Sequence, residues 1–312
     1  MSSQSPTVMC ELQPKEREQA SESVVCGVER GKAWTLYNDD CVTAIAALPD
    51  NSVDYCVYSP PFQSLYAYSD DPRDMSNCDS SAAFFEHYGY LVRELHRVMK
   101  PGRNVSFHCM ALPYSKQRDG VIGLHDFPGD LLRTHQSHGF VGHSHHGIWK
   151  DPVTAMTRTK ALGLLWKQLR KDSAMSRMGI MDQVWTVRKI GDNAEPITHS
   201  MDEFPVAQWQ KWASPFWTDI DQSDVLPCRA AKEEGDQKHL CPLQLEVIRR
   251  CIRLWSNRGD LVLSPFAGIG SEGHVALEEG RRFVGVELKR SYFDQACANL
   301  RAVESRPRSL FG

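Results

Sequence analysis

Apolar and polar positions follow a regular alternation of strand-like and helix-like segments in the first half of the chain. The unbroken apolar run Val53–Tyr58 (VDYCVY) is typical of a buried strand, whereas 84–99 carries apolar residues at helical spacing. A short buried strand is predicted over 105–108, after the helix. Upstream, the pattern predicts a strand over 33–37 and a short helix over 42–48.

The same alternation returns near the C-terminal end, where a second β-α-β unit is predicted. Its elements are a helix over 243–255, the strand Leu261–Ser264, a helix over 273–279, a strand over 283–287 and a helix over 292–303. Between the two regular regions, 151–240 is rich in proline and tryptophan and yields one predicted helix, 160–171. The pattern therefore predicts an α/β sheet with covering helices, interrupted by an irregular insert.

This pattern divides the chain into five segments. Residues 1–32 lack hydrophobic periodicity over most of their length and are expected to form a disordered or loosely docked extension. The regular domain is expected over 33–302. Its parts are a first half (33–150), the insert (151–240) and a second half (241–302), and a tail follows at 303–312.

Composition and charge narrow the function classes. The chain has 312 residues, of which 41% are hydrophobic, and its ten cysteines include no CxxC pair, so a disulfide scaffold is excluded. No stretch suits a signal peptide or a membrane span, and the expected location is the cytoplasm. The net charge is −3, yet residues 111–190 hold twelve Lys and Arg against six Asp and Glu. This local positive balance suits a nucleic-acid partner.

The first candidate for chemistry is Ser59-Pro60-Pro61-Phe62, directly after the strand Val53–Tyr58. Two prolines fix the backbone and remove two N–H donors, so the loop presents acceptors and an aromatic face. An exocyclic amino group needs acceptors for its two N–H bonds, and its ring needs a stacking partner. A stiff structural turn is the alternative interpretation.

The second candidate is the glycine-rich turn Ser264-Pro265-Phe266-Ala267-Gly268-Ile269-Gly270-Ser271 between a strand and a helix. Glycines permit a tight bend and close approach of a ligand, and the helix N-terminus offers free N–H groups. Glu287 ends the next predicted strand, where a carboxylate can bind ribose hydroxyls. The turn departs from the G-x-G-x-x-G dinucleotide fingerprint, and a glycine-containing structural turn with a surface carboxylate is the alternative interpretation.

Together these motifs resemble those of the S-adenosylmethionine-dependent DNA amino-methyltransferases, which modify N6 of adenine or N4 of cytosine. SPPF resembles the catalytic motif, FAGIG the cofactor motif, and Glu287 the acidic residue after it. The stretches YNDD at 37–40, LHRVMKPG at 95–102, IWKDP at 148–152 and VWTVRK at 184–189 agree with the same family, so the resemblance covers about 33–302. The catalytic motif comes first along the chain, which is the permuted, β-type order with the target-recognition region between the two motifs.

The resemblance implies a Rossmann-like methyltransferase fold and a set of site residues. The implied catalytic residues are Ser59, Pro60, Pro61 and Phe62. The implied cofactor residues are Asp40, Ser264, Phe266, Gly268, Gly270, Ser271 and Glu287. Candidate phosphate ligands in the basic region are Lys150, Arg158, Lys160, Lys167, Arg170, Lys171 and Arg177. Ser264 departs from the family, since many relatives have Asp there.

The implied activity is methylation of a base flipped out of double-stranded DNA, with S-adenosyl-L-methionine as the methyl donor. Ser59 favours N4 of cytosine over N6 of adenine, because Ser at this position is commoner among cytosine enzymes. Methylation of a protein or small molecule, or an inactive DNA-binding relative, remain alternatives. A homodimer and a cognate restriction enzyme also stay open, and attachment to the nucleoid would follow from DNA binding.

Several other residues could suggest a function but have simpler structural interpretations. The histidines at 135, 138, 143, 145 and 146 lack paired cysteines, so no metal is expected. Cys56 and Cys109 lie in predicted buried strands and are expected to be inert. The basic helix over 160–171 suits either a DNA groove or a solvated face. Three tryptophans at 209, 212 and 217 are expected to pack the insert.

Overall fold

The protein is built on one nine-stranded sheet covered by helices on both faces. The structure is a computed structural model, and it describes residues 27–62, 71, 73–114, 119–159, 164–227 and 242–306. The strands are β1 (Val28–Arg30), β2 (Trp34–Tyr37), β3 (Val53–Tyr58), β4 (Met99–Met110), β5 (Leu112–Tyr114), β6 (Gly123–His125), β7 (Phe140–Ile148), β8 (Asp182–Lys189), β9 (Phe216–Trp217), β10 (Leu261–Ser264) and β11 (Arg282–Val286). The helices are α1 (Cys41–Ala46), α2 (Ser81–Val98), α3 (Phe127–Ser137), α4 (Pro152–Thr159), α5 (Trp166–Lys171), α6 (Val206–Trp212), α7 (Leu245–Trp255), α8 (Ser271–Glu278) and α9 (Arg290–Glu304).

The sheet order is β1-β2-β11-β10-β3-β4-β8-β7-β9, and β5 and β6 pair separately. The five strands from β2 to β4 in this order are parallel, whereas β8 is antiparallel to both β4 and β7. Strand β3 has apolar residues on both faces: Cys56 and Tyr58 pack with α1, α2 and α3, and Tyr55 and Val57 pack with α7, α8 and α9. An apolar layer on each side explains why VDYCVY is an unbroken buried run.

The predicted α/β class is confirmed, and β3 and β10 have the predicted bounds. Strand β4 begins at Met99 rather than at 105, because the backbone becomes extended at the residue that ends α2. The pairing of β3 with β4 then shifts register between Val53 and Tyr55. Among the described helices, none combines the length and the apolar character needed to cross a bilayer.

Three sequence-based boundaries need correction. Residues Val28–Arg30 pair with β2, so the predicted extension over 1–32 ends within the sheet. The insert over 151–240 is not irregular throughout, since it contains α4 and the internal strand β8 of the main sheet. The described part of the predicted helix 160–171 becomes α-helical only at Trp166, because the backbone at Leu165 is extended.

A buried arginine holds the amino ends of three parallel strands together. Arg103 is fully buried, with its NH1 2.9 Å from Asp260 Oδ2 and its NH2 3.6 Å from Asp54 Oδ1. Lys100 Nζ lies 2.7 Å from the same Asp54 oxygen. Within the described residues, Asp54, Glu195 and Asp260 form the one group of carboxylates close enough to hold a metal ion. Arg103 and Lys100 already pair with all three carboxylates, so we interpret the group as an ion-pair cluster.

Replacing Arg103 by methionine should destabilise the protein strongly, because Asp54 and Asp260 would remain buried without their cation. We expect the free energy of unfolding to fall by roughly 3–5 kcal/mol, measured by urea unfolding. Arg133→Met is the matched control: its side chain is 61% exposed and pairs with Asp126 and Asp130. That control should lose much less stability, because exposed ion pairs contribute little. Equal losses in the two variants would contradict the structural role of the cluster.

Candidate active site

The loops that carry the candidate chemistry meet at one edge of the sheet. Strand β10 pairs directly with β3, and both run parallel, so their carboxyl ends lie side by side. From β10 the chain continues through α8 to β11 on one side, whereas from β3 it continues through α2 to β4 on the other. Open α/β sheets bind ligands at such a switch point, because the diverging connections leave a crevice.

The Ser59–Phe62 segment, hereafter the acceptor loop, leaves the end of β3 at this crevice. Pro60 and Pro61 are buried, whereas Ser59 and Phe62 are partly exposed. The Phe62 ring packs with its centroid 6.2 Å from that of Phe127, at the start of α3. The loop is therefore anchored by its prolines and leaves a hydroxyl and an aromatic ring at the surface.

Behind the acceptor loop lies a chain of polar side chains that the sequence motifs did not reveal. Ser59 Oγ is 3.0 Å from Nδ1 of His108 on the neighbouring strand β4. The other ring nitrogen, Nε2, lies 3.2 Å from Asp182 Oδ2, at the start of β8, which is ion-pair distance but not hydrogen-bond geometry. Lys150 Nζ reaches the same carboxylate oxygen at 2.5 Å. The order is therefore hydroxyl, imidazole, carboxylate and ammonium.

The charge state of Asp182 follows from its neighbours. Burial acts to raise the pKa of Asp182, but the nearby His108 and Lys150 outweigh burial and lower it below its ordinary value. Asp182 is therefore ionised at neutral pH, although only 2% of its surface is exposed. A carboxylate beside Nε2 favours the tautomer that carries its hydrogen there, which leaves Nδ1 to accept from Ser59.

The glycine-rich turn after β10 forms the other wall of the crevice. Gly268 and Gly270 both have positive φ, at +52° and +87°. A Cβ on Gly270 would lie 3.2 Å from Cβ of Ala296 in α9, whereas a Cβ on Gly268 would meet no described atom within 4 Å. Gly270 therefore serves the packing of the turn on α9, and Gly268 faces open space in which a ligand can approach the backbone.

Glu287, just after β11, is fixed against this turn. Its Oε2 accepts from Gly268 N–H at 2.8 Å, and its Oε1 accepts from Lys289 N–H at 2.9 Å. Burial raises the pKa of Glu287 to about 7, and burial likewise raises that of Glu272 in α8 to about 8. Asn38 Nδ2 donates to the carbonyl of Glu287, which holds the loops after β2 and β11 together.

Buried polar atoms without a hydrogen-bond partner among the described residues include two oxygens at the ends of β2 and β10. The two oxygens are Ser264 Oγ, at the end of β10, and Asp39 Oδ2, just after β2. Unpaired buried oxygens, together with the open face of Gly268, fit a site built for a polar ligand. Asp40, the predicted cofactor residue, caps α1 by accepting from Thr43 N–H at 2.9 Å. Its cofactor role stays a prediction.

The other predicted cofactor residues lie at the same place. Phe266 is partly exposed, with its ring centroid 5.8 Å from that of Tyr58 at the end of β3, and Ser271 is the buried first residue of α8. The structure thus brings the cofactor turn beside the acceptor loop. Their individual roles stay predictions.

The predicted phosphate ligands that the structure describes differ in exposure and in their contacts. Lys167, Arg170 and Lys171 are exposed on α5, whereas Arg177 is partly buried and donates to the carbonyl of Met178. Lys150 lies behind the acceptor loop, with its ammonium against Asp182. Two further candidates, the side chain of Arg158 and the whole of Lys160, lie outside the described residues.

The histidines, cysteines and tryptophans to which the sequence analysis gave no functional role mostly have structural contacts. His135 Nε2 lies 3.2 Å from Tyr58 Oη, and the His145 ring stacks on Trp185 at 4.1 Å. Burial raises the pKa of the Cys56 and Cys109 thiols, which fits inert residues. Trp212 and Trp217 are buried as predicted, but the prediction for Trp209 is wrong: it is 53% exposed.

The doubly wound sheet and its two loops define the class of the protein, a Rossmann-like methyltransferase. Two solved structures share the fold. TTHA0409 from Thermus thermophilus, solved with S-adenosyl-L-methionine, aligns with a TM-score of 0.64 at 22% identity, over 87% of this chain and 95% of its own. The cytosine-N4-specific PvuII DNA methyltransferase aligns with a TM-score of 0.62 at 17% identity, over 89% of this chain and 88% of its own.

The family itself is shown by a match over most of the chain. The family model described as DNA methylase, of the N6/N4 type, matches residues 53–298, so the chain belongs to this family of DNA amino-methyltransferases. Members use S-adenosylmethionine as the methyl donor. The DNA adenine methyltransferase YhdJ of Escherichia coli K12 is 22% identical over 280 residues, covering 86% of this chain and 83% of its own. These relatives act on different bases and leave the choice of base open.

Substitutions of Gly268 and Gly270 are expected to have different effects, one on cofactor binding and the other on stability. Alanine at either position should cost about 1–2 kcal/mol, because a left-handed backbone disfavours a Cβ. Gly270→Ala should lose more stability, since its Cβ also crowds Ala296. Gly268→Ala should instead weaken binding of S-adenosylmethionine, because its Cβ enters the open space. Urea unfolding and titration calorimetry measure the two effects. Unchanged cofactor affinity in Gly268→Ala would contradict this assignment.

Proposed function

We propose that this chain methylates N4 of cytosine in double-stranded DNA, with Ser59 holding the amine of a flipped base. Family membership makes it a DNA amino-methyltransferase, and the choice of cytosine is the finer step. The observation that carries the proposal is the position of Ser59 Oγ after β3, next to β10 and its glycine-rich turn, and 3.0 Å from His108 Nδ1, to which the hydroxyl can donate. Methylation of N6 of adenine is the second candidate, supported by the adenine specificity named for YhdJ.

The hydroxyl is suited to hold an amine hydrogen. Because Nδ1 accepts from Ser59, both lone pairs of Oγ remain available to an incoming N–H group. A hydroxyl does this without an unpaired charge at the contact, which would be costly to bury. Adenine and cytosine present the same NH₂ group, so this geometry supports an amine substrate of either kind. The preference for cytosine rests on the Ser at this position.

The amine of a base is a weak nucleophile, because its lone pair is delocalised into the ring. S-adenosylmethionine supplies a methyl group activated on a sulfonium, and the Gly268 turn with Glu287 would hold its amino-acid and ribose parts. The chain's own task is to hold the amine hydrogens so that the nitrogen lone pair points at the methyl group. In-line positioning of this kind is the larger contribution to rate, since each hydrogen bond adds only about 1 kcal/mol.

Phe62 provides the face on which the flipped base can stack. Extruding a base costs a few kcal/mol, and stacking on an aromatic ring returns roughly 1–3 kcal/mol. The ring lies at the end of the rigid acceptor loop, supported by Phe127. Duplex affinity would come from cations such as those of α5, where Trp166, 72% exposed, also faces solvent.

The identity of the base is tested by digesting DNA from cells that express the protein and measuring nucleosides by mass spectrometry. We expect N4-methylcytosine with the wild type and its loss with Ser59→Ala. The variant should keep its affinity for DNA and cofactor, because the lost bond acts mainly in the transition state. Detection of N6-methyladenine without N4-methylcytosine would contradict the assignment of cytosine as the target base, but not the assignment of the chain as a DNA amino-methyltransferase. Full turnover in Ser59→Ala would remove Ser59 from catalysis.

The cations of α5 predict a change in salt dependence. Replacing Lys167, Arg170 and Lys171 by alanine should weaken DNA binding and lower the salt slope of the affinity by roughly one per cation lost. The control is Arg258→Ala: Arg258 is exposed in the turn that precedes β10, at the opposite edge of the sheet. Gel shifts at several salt concentrations give both slopes. An unchanged slope in the triple variant would exclude α5 from the DNA interface.

A further inference from the structure

The side chains behind Ser59 form a route for a proton. Positively charged nitrogen develops at the amine during methylation, and the product becomes neutral only when one N–H proton leaves. Ser59 Oγ is the atom that contacts this amine in the proposed function, on which the present inference rests. The hydroxyl is itself bonded to His108 Nδ1 at 3.0 Å. A proton that reaches Ser59 therefore has an acceptor one hydrogen bond away.

We infer that His108, oriented by Asp182, accepts the proton of the methylated amine through the hydroxyl of Ser59. His108 acts through Ser59, and Asp182 is a positioning residue that fixes the imidazole tautomer. Three strands hold the arrangement: Ser59 directly follows β3, His108 lies on the adjacent β4, and Asp182 begins β8, which pairs with β4. The geometry is thus built into the sheet.

The step balances as follows. The amine nitrogen gives its lone pair to the methyl carbon, and the electrons of the broken carbon–sulfur bond remain on sulfur, which becomes a neutral thioether. The nitrogen, now cationic, passes one proton to Ser59 Oγ, and the original hydroxyl proton moves to His108 Nδ1. His108 becomes an imidazolium beside the carboxylate of Asp182. It returns the proton to solvent after the product leaves.

Burial and charge favour this acceptor. Only 9% of the His108 surface is exposed, so solvent screens its interaction with the Asp182 carboxylate less than it would at the surface. The charged groups that face the ring are Asp182 from β8 and Lys150 from the segment after β7. Asp126, ahead of α3, acts on the neighbouring Cys109. Lys150 balances part of the carboxylate charge and so keeps Asp182 ionised in a buried position.

A His108 that only held Ser59 in place would make the same contacts. The test must therefore distinguish positioning of Ser59 from acceptance of a proton. His108→Asn places an amide oxygen near the former Nδ1, where it can still accept from Ser59 but cannot take up a proton at neutral pH. The methylation rate should be measured in single turnovers, on a duplex carrying the methylated sequence identified from cellular DNA. We expect a rate loss on the order of 10²-fold, with KM for DNA and for S-adenosylmethionine within about threefold of the wild type.

The pH profile provides the second readout. In the wild type, the rate should fall as pH is lowered, because a protonated His108 cannot accept a second proton. This acid limb should be absent in His108→Asn. The matched control is His145→Asn, since His145 is a partly buried histidine on β7 that bonds Gln183 away from the acceptor loop. The control should keep the wild-type rate and profile.

The outcomes are distinguishable from failure of the proposed function. A wild-type rate and an unchanged acid limb in His108→Asn, together with loss of turnover in Ser59→Ala, would overturn the relay and leave the role of Ser59 standing. Full turnover in Ser59→Ala would overturn both. Should His108→Asn fail to fold, Asp182→Asn provides the alternative: we expect a reduced rate and a shifted acid limb, and an unchanged acid limb would contradict the relay.

Discussion

The parallel pairing of β3 with β10 is the constraint on which the site depends. It joins Tyr55 to Val262 and Cys56 to Leu263, between segments more than 200 residues apart in sequence. The backbone N–H of Leu261 donates to Asp54 Oδ2 at 2.8 Å, which fixes the register at the amino end. Because both strands leave the sheet at the same edge, one pairing places the acceptor loop beside the cofactor turn. A slip of one residue would also exchange the two buried faces of β3.

The two edges of the sheet use charge in different ways. At the amino edge, Arg103 and Lys100 neutralise a cluster of carboxylates, and the result is a structural tie. At the carboxyl edge, buried carboxyls lie in unlike surroundings. Burial raises the pKa of Glu287 and Glu272, whereas in Asp182 the contacts with His108 and Lys150 outweigh burial and lower the pKa. Local partners, rather than depth, therefore decide which carboxyl is ionised.

Much of this arrangement could be predicted from the sequence, for a clear physical reason. Strands β3 and β10 are buried on both faces, so each can be recognised in the sequence as a run of apolar residues. The Pro-Pro motif comes directly after β3, and the glycine-rich turn comes directly after β10. The side chains His108 and Asp182 could not be predicted, because their contact depends on the antiparallel pairing of β4 with β8. A histidine near the end of a buried strand and an aspartate at the start of another are common in isolation. Only the register brings them together.

The insert shows the same limit. Strand β8 belongs to the central sheet, yet it lies in a stretch that composition marks as irregular, because prolines and tryptophans surround it. Lys150 likewise counts toward the basic balance of the sequence, but its ammonium is committed to Asp182 rather than to solvent. Net charge over a segment therefore overstates the cations available to DNA. The exposure of individual Lys and Arg side chains, such as those on α5, indicates better which cations can contact DNA.

The proposed relay also gives a physical meaning to a serine at the head of the acceptor loop. A carboxylate there would place negative charge in direct contact with the amine and would have to be neutralised or buried at a cost. A hydroxyl avoids that cost but cannot by itself remove a proton. The His108–Asp182 pair supplies the missing negative charge from behind, in a buried position where Lys150 helps to keep it ionised. Contact and charge are then provided by different residues on adjacent strands, which lets a neutral acceptor serve a reaction that develops positive charge.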